Sequence, residues 1–404
     1  MKRILIFSMT YNPFVGGAEV AIKEITDRIS KKEIEFHMVT LRFNKALPKV
    51  EQVGNVLVHR VGVSFNNITI NDTHKLSFYF LKILFVPLSM LKAISLNKMY
   101  HYDKLWAMMS YMLFPIVLMR LLGVHIPYIL TLQEGDPYKH VFRRFRISLF
   151  KPLLTSGFRH AKTVQAISTY IAKWGVAMGS ANPIVIPNGV DIKLFSKKYS
   201  NRELETLKQK LEKKINSIFL ITTSRLVKKN GIDSVIKSLS YLPENISFIV
   251  LGSGPEEKRL KEIALEEGVM SRVRFLGNIE QKDIPKYLKI SDIFIRPSLS
   301  EGMGNSFVEA MAVGIPIIGT QEGGIADFLY DPDKNPDIKP TGLAVGVNDP
   351  EAIAKAVLRY SSDVLLRREV IDNAKALVEA RYDWKIIVPA MRSKFFKLDS
   401  KLKK

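Results

Sequence analysis

Short apolar runs bounded by glycine, proline or asparagine alternate along this chain with longer segments of helical periodicity. Runs of that kind are buried on both faces and suit parallel strands. The chain therefore reads as α/β, built from doubly wound parallel sheets. The strands so patterned are Ile4–Ser8, Phe36–Leu41, Val56–Val63, Leu105–Ser110, Pro127–Leu132 and Lys162–Ile167. A short strand at Ile184–Ile186 runs into the turn Pro187-Asn188-Gly189. The pattern then restarts with Ile218–Thr223, Ser247–Leu251, Val273–Leu276, Ile293–Ile295 and Ile315–Ile318. At 404 residues the chain exceeds one ordinary core. Two domains are predicted, 1–190 and 191–383, facing across a cleft, the usual place for a ligand.

There are no cysteines, so disulfides and thiolate metal sites are excluded. The apolar run Ile4–Phe7 is too short for the core of a signal peptide. Leu76–Leu96 is rich in Leu, Phe and Ile, but Lys82 and Pro87 interrupt the apolar run and Lys92 closes it. Leu105–Leu132 divides into strand, helix and strand, so no transmembrane helix is predicted. Net charge is +21, and residues 1–190 hold 24 Lys/Arg against 10 Asp/Glu. Nucleic acid, an anionic membrane and a polyanionic substrate each suit that balance. On a helix through 139–149, Phe142, Phe145 and Leu149 share one face, and Lys139, Arg143 and Arg146 an adjacent one. Lys75 and Lys82 share a face on the preceding long helix. Basic residues beside an apolar face favour an anionic membrane surface over nucleic acid.

The candidate ligand residues sit where strands end. Gly16 and Gly17 lie between the first strand and a helix from about Ala18, a phosphate or sugar cradle in outline. The string lacks the G-x-G-x-x-G spacing, so a tight structural turn explains it equally well. Gln133 and Glu134 follow Pro127–Leu132, and Asn188 lies in the turn after Ile186. Arg225 closes the first strand of the second domain, with Lys228 and Lys229 beside it. A guanidinium there can take two diphosphate oxygens at once. Gly252 and Gly254 follow the next strand. Arg296–Pro316 then reads as strand end, glycine loop and helix start. Gly302, Met303, Gly304, Asn305 and Ser306 form the loop and first turn, flanked by Glu301 and Glu309. Unpaired N–H groups at such a start suit an anion or a polar sugar. On spacing alone, two glutamates eight apart also fit a capped surface helix.

Taken together, Gly16-Gly17-Ala18-Glu19, Pro187-Asn188-Gly189-Val190-Asp191, Ser224-Arg225-Leu226, Gly252-Ser253-Gly254-Pro255 and Glu301 through Glu309 occur in order. Along nearly its whole length the chain resembles the retaining glycosyltransferases of family 4, which have the two-domain GT-B fold. The resemblance implies a nucleoside-diphosphate sugar held mainly by the second domain. Glu309 would bond the ribose hydroxyls, Glu301 would lie against the donor sugar, and Arg225 would hold the diphosphate. Gly16 and Gly17 would close over it from the first domain. The segment 384–404, opening at Trp384, is similar to the family's closing helix, which crosses back to the first domain. Two positions depart from the family pattern. Asn230 stands where it has lysine, leaving Lys228 or Lys229 to supply that charge. Gln133 stands where it often has histidine, and an amide does no acid–base work.

The reaction so implied moves a UDP- or GDP-linked sugar to an acceptor hydroxyl with retention of configuration. Its transition state would resemble an oxocarbenium ion, with Arg225 and a lysine stabilising the leaving diphosphate in place of a metal. No nucleophile, metal or cofactor is assigned. The acceptor is expected to be a lipid-linked or surface-glycan precursor, met at the cytoplasmic membrane face. Asp331-Pro332-Asp333 reads as a turn. Competing readings are a sugar-nucleotide epimerase, a phosphorylase, a nucleic-acid-binding protein, and a catalytically impaired nucleotide-binding homologue.

Overall fold

The computed structural model describes residues 1–14, 16–62, 76–142 and 145–397. Val63, Lys75, Arg143 and the side chains of Phe145 and Arg146, all used above, lie outside the described residues. The chain divides into two compact units. Unit 1 is Met1–Asn188 with the segment from Trp384 onward, and unit 2 is Gly189–Asp383.

Unit 1 holds β1 (Lys2–Phe7), β2 (Ile34–Leu41), β3 (Val50–Val53), β4 (Val56–Val61), β5 (Lys104–Met108), β6 (Tyr128–Leu132), β7 (Thr163–Ala166) and β8 (Ile184–Val185). They form one sheet in the order β3-β4-β2-β1-β5-β6-β7-β8. The β3–β4 pair is antiparallel, and the other described pairs are parallel. Burial on both faces explains the continuous apolar runs: Ile4–Phe7 and Tyr128–Leu132 are buried throughout. β3 is an edge strand that is mostly exposed and carries Glu51 and Gln52, so it has no apolar run to betray it.

Lys82 and Pro87 interrupt the apolar run of Leu76–Leu96 but not its helix, which is continuous over Leu76–Tyr100. Leu81, Phe85, Ser89, Ala93 and Leu96 make its buried stripe, and it packs on β2 and β4. That packing outweighs one hydrogen bond lost at proline. The Lys82 ammonium stays at the surface, 4.5 Å over the Tyr111 ring. By length and composition Tyr79–Tyr100 is apolar enough to cross a membrane, although 33% of its apolar window is buried. Of the basic helix expected through 139–149, the described residues show helix over Tyr138–Phe142 and Phe145–Ser148, and residues 143 and 144 lie outside the description. Phe142 does not face outward but sits among Tyr138, Phe158 and Trp174.

The end of the chain completes the unit 1 core. A helix, Trp384–Ala390, passes into a π turn, Met391–Phe395. Trp384, Ile387, Val388, Met391, Phe395 and Phe396 join Ile4, Ile6, Phe36 and Trp106 in one apolar cluster. Trp106 stacks edge-on against Phe396 at 5.2 Å, and Arg392 pairs with Glu33 at 2.7 Å.

Unit 2 holds β9 (Ile218–Thr223), β10 (Ile246–Leu251), β11 (Val273–Gly277), β12 (Ile293–Arg296), β13 (Ile317–Gly319) and β14 (Leu343–Ala344). All described pairs are parallel, in the order β11-β10-β9-β12-β13-β14. β14, only two residues long, was not legible as a strand. The strand order reverses between β9 and β12, and between β1 and β5 in unit 1. Crevices at such reversals, outside the carboxyl ends of the strands, are where open α/β sheets take ligands.

Candidate active site

In unit 2 the named residues gather at the β9/β12 reversal. β9 ends at Thr223, and Arg225 emerges two residues later with an exposed side chain. Its turn is tightly held. Leu226 N–H donates to the Ser253 carbonyl at 3.0 Å, and Ser224 N–H to that of Leu251 at 3.0 Å. A Cβ on Gly252 would come within 2.0 Å of the Ser224 carbonyl oxygen, and one on Gly254 within 2.3 Å of that of Leu226. These glycines make room for the backbone that presents Arg225. Asn230 has a similar task. It is buried, and its Nδ2 donates to the Arg225 carbonyl oxygen at 2.6 Å. Where the family pattern has a lysine, this chain clasps its arginine turn with an amide.

The loop after β12 lies directly alongside, since Leu299 N–H donates to the Lys229 carbonyl at 2.7 Å. Lys229 is half-buried. Gly304, at φ 94°, turns the chain into the helix Asn305–Val313. That left-handed backbone favours glycine, and a Cβ would also press within 3.1 Å of Arg296 Nη2. Arg296 is the residue the sequence reading passed over. At the last position of β12 it is buried, with its guanidinium 4.9 Å from the Phe307 ring centroid. Nη2 donates to Glu301 Oε2 at 2.9 Å and Nη1 to Ser306 Oγ at 2.9 Å. The Glu301 Oε1 accepts from Gly302 N–H at 3.1 Å. One planar fork thus fixes Glu301 against the start of the helix, and Ser306 serves this clasp. Met303 is buried, and Asn305 opens the helix. On the other side Gly324 N–H donates to the Glu301 carbonyl at 3.0 Å.

Burial pushes the Glu309 carboxyl up to about 7, while Arg296 and a hydrogen bond from Gln281 oppose the rise. The residue keeps some surface exposure, yet its carboxyl is surrounded by protein. Gln281 follows β11, and Glu309 follows β12. Strands β10 and β9 lie between β11 and β12 in the sheet, and Arg225 follows β9. Asp331 accepts from the N–H groups of Asp333, Lys334 and Ala344, which makes Asp331-Pro332-Asp333 a turn.

In unit 1, Gln133 and Asn188 form a reciprocal amide pair at 2.9 and 3.2 Å, both buried. Glu134 is buried; Oε1 accepts from Ser110 N–H at 2.7 Å, and Oε2 has no partner among the described residues. Burial pushes its carboxyl up. Gly16 caps the helix Gly17–Asp27, and the Glu19 carboxyl folds onto that turn, accepting from Thr10 Oγ1 and the Gly16 N–H. Burial raises Glu19 as well.

The model of "Glycosyltransferase Family 4" matches residues 15–194, and that of "Glycosyl transferases group 1" matches residues 203–377. The chain is 29% identical over 212 residues to a GDP-mannose-dependent monoacylated alpha-(1-6)-phosphatidylinositol monomannoside mannosyltransferase of Corynebacterium glutamicum, spanning 50% of this chain and 53% of that protein. Among solved structures it is similar to sucrose-phosphate synthase of Thermosynechococcus elongatus, with TM-score 0.82, 18% identity and 98% and 99% of the two chains covered. It is also similar to HepE of Anabaena in complex with UDP-glucose, with TM-score 0.76, 19% identity and 98% and 100% covered. Two doubly wound units with ligand-ready strand ends are a glycosyltransferase architecture of GT-B type. The chain belongs to glycosyltransferase family 4.

Proposed function

We propose that the protein moves a sugar from a UDP- or GDP-linked donor to a hydroxyl of a lipid-linked or surface-glycan precursor, with retention of configuration. The observation that carries this reading is the meeting of two loops at the β9/β12 reversal. One presents exposed Arg225 and half-buried Lys229, and the other presents Glu301 locked by Arg296. In this reading the guanidinium takes diphosphate oxygens, Glu309 takes ribose hydroxyls, and Glu301 with the Gly302–Ser306 backbone takes the sugar. In unit 1, Gln133, Glu134 and Asn188 offer further hydroxyl partners, and Gly16 and Gly17 a backbone edge for the phosphates. The acceptor oxygen bonds to the anomeric carbon as the bond from that carbon to the phosphate oxygen breaks. The acceptor's proton passes to a donor phosphate oxygen. Arg225 and Lys229 stabilise the charge gathering on the departing diphosphate. No metal or cofactor enters the reading. The UDP-glucose held by HepE and the lipid acceptor named for the Corynebacterium enzyme support the donor and acceptor classes.

A thermal-shift panel of nucleoside diphosphates and their sugars tests the proposal, since only bound ligands raise the midpoint. UDP or GDP is expected to raise it, and Arg225→Ala and Glu309→Ala to abolish the rise. A panel without any shift, or variants that keep it, overturns the reading.

A further inference from the structure

Residues 137–190 contain eight Lys/Arg and no Asp or Glu. Within this stretch lies a surface groove of unit 1 of about 460 Å³. Ser148, Lys151, Thr155, Ser156, Arg159 and His160 line it, and among the described residues no carboxylate does. Lys151 and Arg159 are exposed and stand two turns apart on the helix Lys151–His160. Among the described residues neither has an ion-pair partner. Gly179 leaves room for the arginine, since a Cβ there would sit 3.1 Å from its Nε. Two cations without a described carboxylate partner, set among hydroxyls, suit one chemistry, a phosphate.

The groove is bordered by apolar side chains that point to water. Leu149 is 71% exposed and Phe150 47%. Phe150 meets Phe114 edge-on at 6.1 Å, Phe114 meets Tyr111 at 5.3 Å, and the Lys82 ammonium covers Tyr111. This line leads to the helix Leu76–Tyr100, where Phe80 is 63% and Ile83 67% exposed. Protruding aliphatic and aromatic residues beside phosphate-binding cations match the boundary between headgroups and acyl chains. Leu149 and Ile83, the two most exposed of these, are aliphatic and give a nucleic-acid base nothing to stack on. We propose that the Lys151–Arg159 groove binds the phosphate of an anionic phospholipid headgroup while Leu149, Phe150, Phe80 and Ile83 enter the acyl boundary. The proposal rests on the membrane-borne acceptor of the preceding reading, but it is tested without catalysis.

Co-sedimentation with phosphatidylcholine vesicles, with and without phosphatidylglycerol, provides the test. The chain is expected to bind the anionic vesicles and only weakly the neutral ones. Lys151→Gln/Arg159→Gln is expected to lose about thirtyfold in vesicle affinity, and Lys151→Glu/Arg159→Glu more. Leu149→Asp/Phe150→Asp is expected to weaken binding as well. Each variant should keep the thermal shift given by a nucleoside diphosphate, which reports an intact fold and donor site. Equal binding to both vesicles, binding to neither, or full binding by the Lys151/Arg159 variants overturns the proposal. A shift with inorganic phosphate that depends on Lys151 and Arg159, without vesicle binding, assigns the groove to free phosphate and also overturns it. None of these outcomes touches the donor reading, which fails only in the nucleotide panel.

Discussion

Glu309 shows how burial converts a common side chain into a sensor. Its carboxyl is raised from 4.5 to about 7, so the folded chain holds a proton there that the unfolded chain has released. Between those values stability falls as pH rises, because ionising the buried group costs more in the fold than in water. Ribose hydroxyls donating to the carboxylate would favour the ionised form. Donor affinity is therefore expected to rise with pH and level off above about 7. Titrating UDP or GDP calorimetrically across this window checks the slope, and Glu309→Gln should flatten it. Arg296 acts at the same scale with the opposite character. It sits on one surface of the strand end and commits its fork to Glu301 and Ser306, so the glutamate is oriented before any ligand arrives. A lysine there would lack the second arm. The Glu301-to-Glu309 spacing was legible from the string of letters. The arginine beneath it was written in the same string, but as the end of an apolar run it gave no sign of its partners.

At the scale of elements, the loops after β9 and β12 are one construction. Gly252 and Gly254 admit the Ser224–Leu226 backbone, Asn230 ties the Arg225 carbonyl, and Leu299 ties Lys229. Replacing Asn230 by the lysine typical of the family would place an ammonium in a buried site and free the Arg225 turn. Asn230→Lys is expected to cost roughly 1–3 kcal/mol in a urea titration and to weaken, not improve, nucleoside-diphosphate binding. An unchanged midpoint with tighter binding would show that the clasp has no such role. Lys82 and Pro87 interrupt the apolar run of letters, yet the stripe Leu81, Phe85, Ser89, Ala93 and Leu96 packs on the sheet and carries the helix through. Phe142 had the spacing of a lipid-facing residue, yet an aromatic pocket of Tyr138, Phe158 and Trp174 takes it inward.

For the whole molecule, the chain's end belongs to unit 1, whose other residues precede Gly189. Removing Trp384 onward strips Trp384, Ile387, Val388, Met391, Phe395 and Phe396 from the unit 1 core. Six buried apolar side chains contribute on the order of 10 kcal/mol, as much as a domain's entire net stability. A chain ending at Asp383 is therefore expected to lose folded unit 1 and keep unit 2. Limited proteolysis should degrade residues before Gly189 first, while the nucleoside-diphosphate shift persists in the surviving unit 2. Equal resistance of both units would refute this dependence.

What the letters determined by themselves was local: which runs are strands, where each ends, and which charged or glycine residues follow each end. Periodicity and turn chemistry act over a few residues, so Arg225 was read just past a strand end, Glu301 in the loop before a helix and Glu309 within that helix. Only the tertiary structure decided what each strand end meets. The pairing of Gln133 with Asn188, the clasp of Asn230 on Arg225 and the fork of Arg296 on Glu301 depend on which loops the sheet order sets side by side. That order is fixed by packing across the whole chain, and no window of neighbouring residues contains it.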